Sequence, residues 1–307
     1  MLTSLSNYLK SRGHEGDCLS YVLPKMIRRF GTDFRRFADC GGGVGHTSIA
    51  YRNYLSANLS VEDLTGASIF TYEPLNENLT EMSNNFSGDS IFTIRPVAVS
   101  DVAGKARFTV PRRMTGQSLH WGEGTSAVGF LGTYAASPET IEVDTVRLED
   151  EAVEHFDFVK LDLQGGERNA LIGLGSKLSS TKVIYAEHQL LGTPSSQPLD
   201  FLLRSGFVCF IDKLQFSAVV SRNEIPMSLL RECGIRVERI ILPDQRGMAP
   251  NLTLFGVLDM EQTKKIACSG SLPQETIDSL RSAGVDYMQT DILAINNNVY
   301  RDVLDII

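Results

Sequence analysis

Asp39, Gly41, Gly43 and Gly45 occupy alternate positions in the stretch Phe-Ala-Asp-Cys-Gly-Gly-Gly-Val-Gly that ends at Gly45, and that spacing is the strongest chemical signal in the chain. Glycine lets the backbone turn with unusual φ values and lets a ligand approach without a Cβ in the way. The residues Thr47 to Leu55 can form a helix, whose N-terminus would then face that ligand. The dinucleotide pattern G-x-G-x-x-G fails in both registers, because its last position falls on His46 or Ser48. A phosphate-gripping loop comes closer over Gly42 to Ser48, but His46 stands where that loop needs its lysine. The pattern D-x-G-x-G-x-G fits without repair. Two plainer readings stay open: a P-loop-like, non-catalytic nucleotide-binding regulator, and a glycine turn that holds nothing.

A second acid strengthens the ligand reading. Ser68 to Tyr72 is rich in β-branched and aromatic residues and ends at Glu73-Pro74. A carboxylate at the tip of the next parallel strand can accept two hydroxyl protons, as a ribose diol offers. Glu73 can equally start a helix, since Pro74 suits a first helical position and the N-terminal dipole favours acids. The interval from Asp39 exceeds the usual ~20 residues, and the excess is assigned to Asn58–Ala67, read as an extended connection.

These residues need strands and helices to hold them. Strands are expected near residues 36–40, 68–73, 91–97, 156–162, 182–187, 207–212 and 251–258, alternating with helices. Such alternation predicts a mostly parallel sheet covered on both faces. Residues 3–36 read as two helices broken by Gly13 to Gly16, an N-terminal helical extension (1–36) to a domain spanning 37–258. Phe207–Val220 and Asn251–Phe255 are expected to pair antiparallel at an edge. Pro111–Thr140 is a long glycine-containing loop with His120 and Trp121, read as a lid, an acceptor-binding segment or a disordered loop without a substrate role. The C-terminal extension, 259–307, holds one clear helix, Gln274–Ser282, read as a cap or an oligomer contact.

An ordered set of further motifs makes the reading specific. Leu75-Asn-Glu-Asn-Leu79 follows Glu73-Pro74, then Met82 and Asn85, then Ile94 to Asp101, Gly104 to Phe108 and Ile141 to Leu148. Phe158-Val-Lys-Leu-Asp-Leu-Gln-Gly-Gly-Glu167 and Val183 to His188 complete the series. From about Phe37 to Leu258 the chain resembles the FkbM-type methyltransferases, which use S-adenosyl-L-methionine. It departs from the family pattern at Gln164 and Gly166, where the family has Glu and Ala. The resemblance implies a Rossmann-like class I methyltransferase fold: an α/β, mostly parallel seven-stranded sheet with an antiparallel edge strand. It implies cofactor contacts at Asp39, Gly41, Gly43, Gly45, Glu73 and Ala98. The acceptor class it implies is a hydroxyl on a sugar or secondary metabolite.

Methyl transfer from a sulfonium is an in-line displacement, so alignment and removal of one proton are what the protein must supply. The reactive centre of such a sheet lies beyond the carboxyl ends of its strands. Candidates there are Asp162, Lys160 and Glu167 around the fourth strand, and Glu187 with His188 after the fifth. Asp162 or His188 would be the base. Lys160 shares a strand face with Asp162 and suits a partner for a buried carboxylate. Glu167 suits a helix cap. Asp162, Glu187 and His188 could instead hold Mg²⁺, a minority alternative.

Composition removes other classes. A net charge of −8 over 307 residues argues against a nucleic-acid partner. Arg28, Arg29, Arg35 and Arg36 form the main basic cluster, read as a solvated helix face. No apolar run approaches the ~20 residues of a membrane span, and Met1–Lys10 lacks the form of a signal peptide. Five cysteines without a C-x-x-C pair suit reduced thiols, so a cytoplasmic location is expected.

Overall fold

The computed structural model describes residues 3–4, 18–110, 126–127, 139–191, 197–219, 227–241, 251–258, 266, 272–282 and 285–299. The first half forms β1 (Thr3–Ser4), α1 (Cys18–Phe30), β2 (Arg36–Cys40), α2 (His46–Asn58), α3 (Val61–Leu64), β3 (Ser68–Tyr72), α4 (Asn76–Asn85), β4 (Phe92–Arg95), β5 (Ala98–Val99), β6 (Gly104–Val110), β7 (Ser126–Ala127) and β8 (Glu139–Val146). The second half forms β9 (Phe158–Leu161), α5 (Glu167–Gly173), β10 (Val183–Gln189), α6 (Leu199–Arg204), β11 (Phe207–Val219), α7 (Met227–Glu232), β12 (Ile235–Ile241), β13 (Asn251–Leu258), α8 (Gln274–Ser282) and β14 (Val285–Asn296).

Every residue of β9 and β10 is buried, as in a sheet covered on both faces, and the burial includes the polar Lys160, Glu187, His188 and Gln189. Strands β4-β3-β2-β9-β10 lie side by side and parallel. β14 follows, antiparallel to both β10 and β11, and β11 therefore runs with the parallel set. Those seven strands form a mostly parallel Rossmann-like sheet. β13 and β12 extend the β11 edge, each antiparallel to its neighbour, which includes the expected pairing of β11 with β13. The antiparallel element is thus not confined to the edge.

Helices cover both faces because each face is apolar. On one, Val22, Leu23, Met26 and Ile27 of α1 and Tyr51 and Leu55 of α2 pack on Phe37, Phe158 and Val183. The Phe37 and Phe158 rings stack 4.7 Å apart, and the Tyr51 hydroxyl donates to the Phe34 carbonyl at 3.0 Å. On the other face Leu171, Leu202, Ile277 and Leu280 pack on Val159, Leu161 and Ile184.

Several expectations change here. α1 and α8, assigned to extensions, are packing layers of the main core. β14, from the same C-terminal segment, is an interior strand. Polar Gln289, Thr290 and Asp291 hid it, although Ile292-Leu-Ala-Ile295 carries a strand composition. Thr3–Ser4 pairs parallel with β11 instead of starting a helix, and residues 5–17 lie outside the described residues. The connection 58–67 contains α3, capped by the Ser60 hydroxyl, which accepts the Asp63 N–H at 3.1 Å. Of the loop 111–140, only 126–127 and 139–140 are described; His120 and Trp121 lie outside. A second sheet, ordered β5-β8-β6-β7, uses Gly104–Phe108 and Ile141–Val146, which the sequence reading quoted without assigning strands. No helix among the described residues is long and apolar enough to cross a membrane.

Asp157 clamps the amino ends of three strands. Its Oδ2 accepts the Arg35 and Arg36 N–H groups at 3.0 and 2.9 Å, and its Oδ1 accepts from Lys182 Nζ at 2.6 Å. Arg35 and Arg36, read as solvated, are only partly exposed. Asp157→Ala removes the carboxylate and leaves these donors without it. Breaking such a buried pair costs about 3–5 kcal/mol, so urea unfolding of this variant is expected to show a loss of that size.

Candidate functional site

The order of the parallel strands reverses between β2 and β9, and the crevice of such a sheet opens there, past the carboxyl ends. The glycine loop fills that position. Gly41, Gly43 and Gly45 have φ of +78°, +54° and +91°, which a side chain adopts only with strain. Space divides these glycines further. A Cβ on Gly41 would lie 1.9 Å from the Asp162 carbonyl oxygen, and one on Gly45 would lie 2.5 Å from the Phe86 ring. Gly42, absent from the spacing motif, would put a Cβ 2.2 Å from Thr71 Cγ2. At Gly43 a Cβ would meet nothing within 4 Å. Three glycines are therefore required by the protein's own packing, and Gly43 alone presents bare backbone to open space.

Surrounding elements hold the loop still. The Gly41 and Gly42 N–H groups donate to the Tyr72 carbonyl at 3.0 and 3.1 Å, and Asn85 Nδ2 donates to the Val44 carbonyl at 2.9 Å. Glu73 ties the loop to α4. Its Oε2 accepts the Gly43 N–H at 3.1 Å and its Oε1 accepts the Leu75 N–H at 2.9 Å. Burial pushes this carboxyl up to about 7, against the opposing pull of the Leu75, Asn78 and Gly43 donors. A carboxylate offers about four acceptor positions, and the Leu75, Gly43 and Asn78 donors use three of those on Glu73.

Asp39 is fully buried and turns inward. Its Oδ2 accepts from the Ser48 hydroxyl at 2.7 Å, and its Oδ1 faces Lys160 Nζ at 3.5 Å. Lys160 Nζ also donates to Asp162 Oδ2 at 3.2 Å. Burial alone would lower the Lys160 ammonium, but the Asp162 and Asp39 carboxylates outweigh it and hold the group above the usual lysine range. Lys160 is therefore a charge partner first. Cys40, one of the buried free thiols, is pushed up by burial and by Asp39, which suits a small packing residue and not a nucleophile.

A cleft open to solvent lies against the loop at Gly41. Gly41, Tyr72, Glu73, Pro74, Ala98 and Asp162 line it, with Phe108 from the second sheet. Asp39 and Lys160 lie behind the cleft, joined to Asp162 through the Lys160 ammonium, while Gly41, Glu73, Ala98 and Asp162 line it. Tyr72, Pro74 and Phe108 were missed, because apolar strand residues carry no chemical signature in sequence. The Tyr72 hydroxyl is buried with no hydrogen-bond partner among the described residues.

His188 does not join them. It follows Glu187 on β10, so it points to the opposite face of the sheet, and it is completely buried. That alternation was legible in the sequence. Glu187 lies on the side of Asp162, and Gln164 Nε2 donates to Asp162 Oδ1 and to Glu187 Oε2, each at 2.9 Å. An amide donor between two carboxylates and a histidine on the far face do not make an Mg²⁺ cage, and the described residues contain no three-ligand cluster. Glu167 accepts the Leu163 N–H at 2.8 Å and the Gly165 N–H at 3.1 Å, fixing the turn before α5, and burial pushes it up to about 7.

Because Glu73 and Glu167 bind protons more tightly folded than unfolded, the folded state carries the extra protons between about pH 4.5 and 7. Stability is expected to fall as pH rises through that window, by at most about 1.4 kcal/mol per pH unit for each group. Urea unfolding across the window should show this slope, and Glu167→Gln should flatten it.

A family model described as the methyltransferase FkbM domain matches residues 39–234. No curated protein sequence matches significantly. Among solved structures, the methyltransferase FkbM from Methylobacillus flagellatus KT is 14% identical over 58% of this chain and 40% of that one, TM-score 0.38. The chain thus spans about 40% of that protein's length. The precorrin-6y C5,15-methyltransferase from Geobacter metallireducens GS-15 is 9% identical over 89% and 86% of the two chains, TM-score 0.35. The ribosomal protein L11 methylase from Lactobacillus delbrueckii subsp. bulgaricus is 12% identical over 80% and 81%, TM-score 0.29.

Proposed function

The chain belongs to the methyltransferase FkbM domain family, and we propose that it moves a methyl group from S-adenosyl-L-methionine to a hydroxyl of a small acceptor, a sugar or secondary metabolite. The observation that carries this reading is the open face of Gly43, whose N–H meets the Glu73 carboxylate, while Glu73 itself lines a cleft with Gly41 and Asp162 at the strand reversal. The cofactor, when bound, supplies an electrophilic methyl on a cationic sulfonium. Gly43 lets it approach the backbone, Ala98 keeps the opposite wall shallow, and Glu73 accepts its ribose hydroxyls. Asp39 acts one step back, holding α2 through Ser48 so that the loop keeps its form.

Asp162 is the best placed base. It lines the cleft with its side chain 43% exposed, whereas Glu187 and His188 are buried. It would take the acceptor hydroxyl proton, a contribution of about 10²–10⁴-fold. Holding the two reactants in line supplies more, about 7–11 kcal/mol. The P-loop-like alternative is disfavoured on charge. His46 stands where the phosphate-gripping loop needs its lysine, and Glu73 and Asp162 rather than cations line the cleft.

Calorimetry with S-adenosylhomocysteine is expected to show binding that Glu73→Ala and Gly43→Val abolish, with no heat from ATP and Mg²⁺. Binding should tighten as pH rises through about 7, where Glu73 becomes the charged acceptor. Saturable ATP binding in place of S-adenosylhomocysteine binding would refute the assignment.

A further inference from the structure

Gln164 is the one described residue other than glycine with a positive φ, +54°. A side chain is strained there, and such strain persists only where the surroundings impose it. Neighbouring contacts impose it here. Gly165 follows with φ +118°, and its N–H is held by Glu167, which also accepts the Leu163 N–H at 2.8 Å. The turn between β9 and α5 is thus pinned on both sides of Gln164.

This turn sets one amide group between two carboxylates. The β9–β10 register carries Asp162 and Glu187 to the same side of the sheet. Nε2 of Gln164 has two hydrogens, and it donates to Asp162 Oδ1 and Glu187 Oε2 at 2.9 Å each. The remaining oxygens are also held, Asp162 Oδ2 by Lys160 Nζ at 3.2 Å and Glu187 Oε1 by Gln189 Nε2 at 2.8 Å.

The charges around Asp162 show why a donor is needed. Lys160 on its own strand is the cation beside it, and Asp39 on β2 shares that cation. Glu187 on β10, Glu167 at the start of α5 and Asp291 on β14 crowd the same region with carboxyl groups. Without the two hydrogens of Gln164, Asp162 would keep Lys160 and Glu187 would keep Gln189, but no group would bridge the two acids.

We propose that Gln164 is a positioning residue: its strained backbone and side-chain amide hold the Asp162 carboxyl aimed into the cleft while Glu187 stays inward. The role given to Asp162 rests on the proposed methyl transfer; the electrostatic effect of Gln164 on Asp162 does not. Specificity follows from stoichiometry, since one NH₂ group satisfies both neighbours and a carboxylate in its place would satisfy neither.

The test is a carboxyl ¹³C NMR titration of the full chain, with the Asp162 signal assigned by its loss in Asp162→Asn. Gln164→Glu should raise the Asp162 midpoint by about one pH unit or more, because a like charge disfavours ionisation. Gln164→Gly accepts the φ of +54° without strain and serves as the variant that keeps the turn. It should raise the midpoint by a smaller amount. S-adenosylhomocysteine affinity, read by calorimetry, should stay unchanged in both. An unmoved Asp162 midpoint in both variants would overturn the proposal, as would loss of S-adenosylhomocysteine binding in Gln164→Gly. Failure of the unsubstituted protein to bind S-adenosylhomocysteine would instead overturn the methyl-transfer reading while leaving the titration interpretable.

Discussion

A single buried ammonium governs the centre of this sheet. Lys160 stands between Asp39 on one strand and Asp162 on its own, at 3.5 and 3.2 Å. The carboxyl ends of the central strands could not otherwise gather so many acids, because an unpaired buried charge costs several kcal/mol. With Lys160 in place, Asp39 can be completely buried and anchor α2 through Ser48. The same cation pairs with Asp162 at the surface of the cleft. One residue therefore links a structural acid to a candidate base.

The glycine loop is best understood as a tightly packed object with one open window. Thr71, Phe86 and the Asp162 carbonyl fill the space that side chains at Gly42, Gly45 and Gly41 would take. Those contacts come from β3, the end of α4 and the turn after β9, so the loop is shaped by elements spread over about half the chain. Gly43 is left facing outward, and Glu73 holds its N–H in place. Rigid walls around a single bare peptide are what preorganised ligand sites require, since little ordering remains to be done when the ligand arrives.

Departure from the family pattern at Gln164 has a physical counterpart. An acid at that position would stand among Asp162, Glu187 and Glu167, whereas the amide bridges two of them. The difference is one of chemistry at fixed geometry, because the turn is held by Glu167 and the glycine that follows. Neighbouring positions in a motif can thus carry separate duties: Glu167 builds the turn and Gln164 uses it.

What the sequence determined is local. Alternating glycines, the acid before them and the Glu-Pro step after Tyr72 announce a ligand loop because φ preferences and charge belong to single residues. The largely apolar stretches near 36–40, 156–162 and 182–187 announce buried strands for the same reason. Even the far-side placement of His188 was implied by the two-residue period that puts it opposite Glu187. Only the tertiary structure decided which distant strands meet and in what register. That choice inserted β14 between β10 and β11, closed Asp157 over three strand starts, and brought the Gln164 amide to Glu187. Each depends on partners roughly 20 to 120 residues apart, and no local preference encodes a contact that exists only once the sheet has assembled.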